Sequence, residues 1–144
     1  MKTLILCIGN ELFGDDGVAL YAGELLKKLE SEEVKVEESS GIDLVERSLG
    51  YDRVMVIDSI LEPKKAGEIK KLGLDDIEKE GLFAHNISLY QLLKIAESAE
   101  DEKKKIEVYA ICIASAELGA ELSEIVKGSA EKLADLIADN FDPD

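Results

Sequence analysis

Asp16, Asp58 and His85 stand in three separate stretches of this 144-residue chain, and together they carry the side chains of a divalent transition-metal site. One imidazole and two carboxylates supply three donors and leave coordination positions open for water or a substrate oxygen. Each residue also has a plainer reading. Asp15 and Asp16 begin a helical stretch, where acids cap free N–H groups and complement the helix dipole. Asp58 closes an apolar run, where a carboxylate caps a turn, and a single loop histidine is more often a surface or packing residue. The three together say more than any member.

The elements that must gather these residues follow from periodicity. Residues 3–8 form a short apolar run rich in β-formers and ending at Gly9, which reads as a buried strand. Val18, Tyr21, Ala22, Leu25, Leu26 and Leu29 then recur at helical spacing, with Gly14-Asp15-Asp16-Gly17 as the start signal. Residues 34–38 read as a second strand, 42–49 as a short helix after Gly41, and 53–58 as a third strand whose unbroken hydrophobicity through Ile57 predicts burial on both faces. Residues 67–72 suggest an additional strand. Ser88 caps a helix through Glu97 with Leu89, Leu92, Leu93 and Ala96 inward. The basic run 103–105 reads as a solvated turn and 106–113 as a further strand. Leu122, Ile125, Val126, Ala130, Leu133, Ala134 and Ile137 mark a final helix.

This alternation predicts a single α/β domain over residues 1–138, three layers deep, with a parallel or mostly parallel sheet and helices on both faces. The acidic residues 139–144 form a tail expected to fray. In such a sheet the site lies beyond the carboxyl ends of the strands, where strand order reverses. That rule nominates the loops after Gly9, at Asp58 and around His85.

Composition narrows the partners. With 17 Lys+Arg against 32 Asp+Glu the formal net charge is −15, so nucleic acid and anionic membrane are poor partners. The apolar run at the amino terminus is too short for a signal peptide, and no stretch is long enough to span a bilayer. A cytoplasmic protein is the resulting expectation. Cys7 and Cys112 sit inside apolar runs without the paired spacing of a zinc or redox motif, and read as core residues. Gly9 and Gly14 have the spacing of a phosphate-binding loop, but Asp15 and Asp16 occupy the places of Lys and Ser/Thr, so a nucleotide is disfavoured. A glycine-bracketed loop carrying acids suits a cation or a helix cap instead.

At these residues the chain resembles the hydrogenase maturation proteases, which trim the carboxyl terminus of nickel–iron hydrogenase large subunits. The matching elements are Ile8-Gly9-Asn10 through Gly14-Asp15-Asp16-Gly17-Val18, the apolar strand ending in Asp58, His85 ahead of a helix with Leu92-Leu93, and Leu118-Gly119-Ala120-Glu121-Leu122-Ser123. They fall in the family's order along nearly the whole chain. The resemblance implies a twisted sheet between helices and nickel bound by Asp16, Asp58 and His85, the nickel being carried by the substrate. It implies a nickel-dependent endopeptidase whose partner is the large-subunit precursor, and whose cut releases a short carboxyl-terminal peptide. Asn10, Asp15 and Gly41 would line the cleft or support the ligands. With no usable serine or cysteine nucleophile and no second histidine, the metal would polarise the scissile carbonyl or a bound water. Ala114-Ser115-Ala116-Glu117 replaces the family's usual Glu-Pro, and Pro63-Lys64-Lys65-Ala66-Gly67 is looser than its Pro-Gly turn.

Two other readings remain at this point. A non-catalytic relative would bind a hydrogenase subunit without cutting it. A receiver-type signalling domain also pairs acids after its first strand with a phospho-accepting Asp after its third, as Asp15, Asp16 and Asp58 do. Against it, the acids here follow a long glycine loop, and the last strand exits into Ala114-Ser115 where a receiver presents a lysine.

Overall fold

The computed structural model describes residues 1–80, 83–84, 87–100 and 103–141. All six residues of β1 (Thr3–Ile8) are buried, because the strand has neighbours on both sides and helices over both faces. A 3-10 segment (Glu11–Gly17) leads into α1 (Val18–Leu26), and β2 (Val34–Ser39) follows. Then come α2 (Leu44–Ser48), β3 (Arg53–Leu61), β4 (Ile69–Leu72) and α3 (Leu74–Glu80). A small ladder of β5 (Phe83–Ala84) and β6 (Ile87–Ser88) precedes α4 (Leu89–Ser98), β7 (Lys105–Ile113) and α5 (Glu124–Asp139). The main sheet has the order β2-β1-β3-β7-β4. Its first three pairings are parallel, and only β4 runs antiparallel, against β7. The expected three-layer, mostly parallel α/β domain is what forms.

Strand alternation divides the core in two. Leu4, Leu6, Val54, Val56, Val108 and Ala110 face α2, α3 and α4, meeting Leu44, Ile77, Leu89 and Leu93. Ile5, Cys7, Met55, Ile57, Tyr109 and Ile111 face α1 and α5, meeting Val18, Leu26, Val126 and Leu133. Both cysteines are buried core residues, as expected. The outer edge of β2 is covered at Val36, whose carbonyl accepts from Lys27 Nζ at 3.0 Å and whose N–H donates to Glu30 at 3.3 Å. Such side-chain cover blunts an edge strand. No helix among the described residues is long and apolar enough to cross a membrane.

Four expectations need correction. The third strand does not stop at Asp58 but continues to Leu61, because β7 pairs with it along its whole length. The second helix begins at Leu44 rather than Ile42, since Gly41 (φ 98°) opens a turn whose carbonyl accepts the Leu44 N–H. Leu122 lies before α5, not within it; Ser123 is the extended residue at its start. Lys104 is not in a solvated turn: it is 4% exposed, and its ammonium donates to the Ser48 carbonyl and the Glu100 carboxylate, both at 2.7 Å. The helix α3, in which Ile77 alone is buried among the described residues, had too little apolar periodicity to read.

Lys104→Ala removes the ammonium's bonds to the Ser48 carbonyl, which keeps only the Tyr51 N–H at 3.2 Å, and to Glu100, a loss of about 2 kcal/mol in urea unfolding. Lys103→Ala and Lys105→Ala, on exposed neighbours, should each stay within about 0.5 kcal/mol of wild type.

Candidate functional site

Strand order reverses between β1 and β3: the chain leaves β1 toward β2 on one side and returns to β3 on the other. β1 ends at Ile8, and its last registered pair with β3 is Cys7 with Ile57. β3 runs on past that point alongside β7, pairing Asp58 with Ala110 and Ser59 with Ile111. A step is thus left in the sheet at its switch point, the position where α/β folds hold ligands.

The loop after β1 folds back over this step. Asn10 caps it, its side-chain oxygen accepting the Leu12 N–H at 3.0 Å. The Asn10 N–H donates to Asp16 Oδ2 at 3.1 Å. Gly9 makes the fold-back possible, because a Cβ there would lie 2.3 Å from the Asp16 carbonyl oxygen. Asp16 and Asp58, predicted from separate segments, are brought together, and Ser59 touches both. The Ser59 hydroxyl donates to Asp16 Oδ1 at 2.9 Å, and its N–H donates to Asp58 Oδ1 at 2.8 Å.

Asp58 is 5% exposed. Burial pushes its carboxyl well above its ordinary value of 3.8; the Ser59 N–H partly opposes this, and the nearby Asp16 charge adds to it. A buried carboxylate beside a second carboxylate is a donor set suited to a cation, which would relieve both burial and repulsion. Among the described residues no third metal-binding side chain joins them. His85 lies outside the described residues. The ladder strands on either side of it lead into α4, whose Leu89, Leu92 and Leu93 share a cluster with Val56 and Ile60, the neighbours of Asp58 along its own face of β3.

Asp15 does other work. It is 8% exposed, and its carboxylate accepts the Ser123 N–H at 2.7 Å and the Ser123 hydroxyl at 3.0 Å. It therefore ties the loop that carries Asp16 to the start of α5, aided by the Gly119 N–H donating to the Leu12 carbonyl at 2.8 Å. Gly41 is buried at the end of β2, and its N–H donates to Ser39 Oγ at 2.8 Å. The Ser39 hydroxyl and the Arg47 guanidinium hold the adjacent Asp43 carboxyl below its ordinary range. Beside the loop a cavity of about 590 Å³ is lined by Glu11, Glu24, Glu38 and Glu121. Burial, followed by the Glu24 hydrogen bond, pushes Glu38 up.

Ser59 and Ser123 were missed as site residues by sequence reasoning. Ser123 lay within a motif already singled out, and Ser59 adjoins Asp58; neither has a periodic signal. The thiols offer no nucleophile, since burial drives Cys7 up to about 12, followed by the Glu38 charge.

Asp15→Ala removes two hydrogen bonds to a charged, buried acceptor, a loss of about 2 kcal/mol in urea unfolding, against less than about 1 kcal/mol for Asp16→Ala. Asp58 predicts a pH signature. Its raised folded value means that the native state holds the proton where the unfolded chain has released it. Its contribution is fully present below 3.8 and lost as pH rises through the folded value. Asp58→Asn should therefore be more stable than wild type at neutral pH, with the advantage vanishing toward pH 3.8; paired urea midpoints across pH test this.

Comparison with known proteins places the chain in a family. The family HycI, hydrogenase maturation protease, matches residues 22–140. A Methanocaldococcus jannaschii protein assigned as a hydrogenase maturation protease is 31% identical over 139 residues, spanning 91% of this chain and 86% of its own. Another from the same organism, with the same assignment, is 28% identical over 105 residues, 65% of this chain and 62% of its own length. The crystal structure of the nickel–iron hydrogenase maturation protease HycI from Thermococcus kodakarensis aligns with a TM-score of 0.82 at 25% identity, covering 97% of this chain and 92% of that one. HybD from Thermococcus kodakarensis aligns at 0.78 with 30% identity, covering 99% and 100%. The chain belongs to the HycI hydrogenase maturation protease family.

Proposed function

We propose that this chain is the endopeptidase that removes the carboxyl-terminal extension of a nickel–iron hydrogenase large-subunit precursor after nickel insertion. The observation that carries the reading is the meeting of Asp16 and Asp58 at the sheet's switch point, in a chain of this family. His85 is the proposed third contact. Nickel arrives as part of the substrate, so the two carboxylates and the imidazole inspect whether insertion is complete. It would supply Lewis acidity at the scissile carbonyl or at a water.

What the chain contributes is positioning. Asn10 and Ser59 orient the two oxygens of Asp16, and burial keeps Asp58 from collapsing into solvent. Asp15 anchors the loop from behind. Gly41 and its Ser39–Asp43–Arg47 network shape the turn at the end of β2, at the same edge of the sheet. Leu12 and Leu118, 62% and 74% exposed on loops at that edge, offer the precursor apolar contact. A phospho-accepting role for Asp58 is opposed by its burial inside a strand.

The test is the mass of a nickel-loaded large-subunit precursor incubated with the full chain. The expected result is loss of one defined carboxyl-terminal peptide, absent when the precursor lacks nickel. Asp16→Ala, Asp58→Ala and His85→Ala should each slow the cut by about 100-fold or more. Unimpaired cleavage by Asp16→Ala and His85→Ala would overturn the metal-contact reading. Binding of the precursor without any cut would favour a non-catalytic subunit-binding role.

A further inference from the structure

The two carboxylates have different origins: Asp16 comes from a loop and Asp58 from within a strand. They carry like charge, so nothing in their own electrostatics keeps them at one place. Among the described residues a single amino acid bonds to both, and it is Ser59.

Its position follows from register. The Glu62 N–H donates to Ile113 on β7 at 3.0 Å, so even-numbered residues of this stretch bond toward β7 and odd-numbered ones face the opposite side. On that side β1 has already ended. The Ser59 N–H therefore has no ladder partner and turns to the Asp58 carboxylate at 2.8 Å. The side chains also alternate. Asp58 falls on the face of Val56 and Ile60, under α4, while Ser59 falls on the face of Met55 and Ile57, under α1, where the Asp16 loop descends. There the hydroxyl reaches Asp16 Oδ1 at 2.9 Å, while the Asn10 N–H holds Oδ2. A carboxylate oxygen has two lone pairs, so one donor fixes its direction and leaves it able to bind a metal.

We propose that Ser59 is a positioning residue for the metal-recognition step: its hydroxyl sets Asp16 against Asp58 before nickel arrives, so that the pair meets the metal ready-formed. This rests on the reading of Asp16 and Asp58 as metal contacts. Partners of this kind commonly change metal affinity by about 10- to 100-fold when removed.

The test compares wild type, Ser59→Ala, Ser59→Thr and Asp58→Ala in the full chain. Calorimetric titration with Ni²⁺ alone reads the site, cleavage of the nickel-loaded precursor separates kcat from KM, and thermal unfolding reads the fold. Ser59→Ala should weaken Ni²⁺ and raise KM by about 10-fold, with kcat changed by less than about 3-fold and an unchanged unfolding midpoint. Ser59→Thr, which keeps the hydroxyl, should restore both to within about 3-fold of wild type. If Ser59→Ala matches wild type while Asp58→Ala loses Ni²⁺ and activity, the role of Ser59 is overturned and the metal site stands. If Asp58→Ala leaves Ni²⁺ binding and cleavage intact, the metal reading itself fails. Equal losses in both Ser59 variants with a lowered midpoint would show a structural role and overturn the proposal.

Discussion

A carboxylate buried inside a strand is the constraint on which this structure turns. Asp58 is almost inaccessible, its intramolecular partner among the described residues is a single N–H, and a second carboxylate adds repulsion. Left alone, such a group lowers the stability of the folded chain wherever it is ionised. The rest of the sheet is arranged so that it stays. β7 runs the full length of β3 and keeps it extended through Asp58, while β1 stops short and leaves an opening on the other side. The same truncation that makes a switch point also leaves the Ser59 amide free to turn to Asp58.

The loop over that opening is held by contacts distant in sequence. Asp16 meets Ser59 across 43 positions and Asp15 meets Ser123 across 108. Adjacent acids thus take opposite tasks: one faces the site, the other secures the loop to α5. This division explains why the Leu118–Ser123 segment accompanies the opening motif although it lies far along the chain. Ser123 supplies both donors to Asp15, and Gly119 donates to the loop at Leu12. Asp16 and Asp15 each accept two hydrogen bonds, the first pair from its own loop and β3, the second from the start of α5.

Much of the fold was legible in the residues. The strands read at 3–8, 34–38, 53–58 and 106–113 and the helices read from Val18, Ser88 and Leu122 all fall on observed elements, because a helix buries a periodic stripe and a central strand a continuous apolar run. The misreadings share a cause. Lys104 lies in a basic run, yet its ammonium is buried on the Ser48 carbonyl, and no local pattern announces a partner 56 positions away. Among its described residues α3 buries only Ile77, and Leu122 belongs to the α1–α5 core without being helical.

By itself the sequence determined the order and kind of the main strands and helices, and it pointed to Asp16 and Asp58 as acids that one edge of the sheet could gather. These are properties of residue type and short-range period. Only the tertiary structure decided that Asp58 is enclosed within its strand, that Asp16 rather than Asp15 turns to it, and that Ser59 joins the pair. A polar side chain has several possible partners, and the sheet's register and the loop's close approach at Gly9 choose among them.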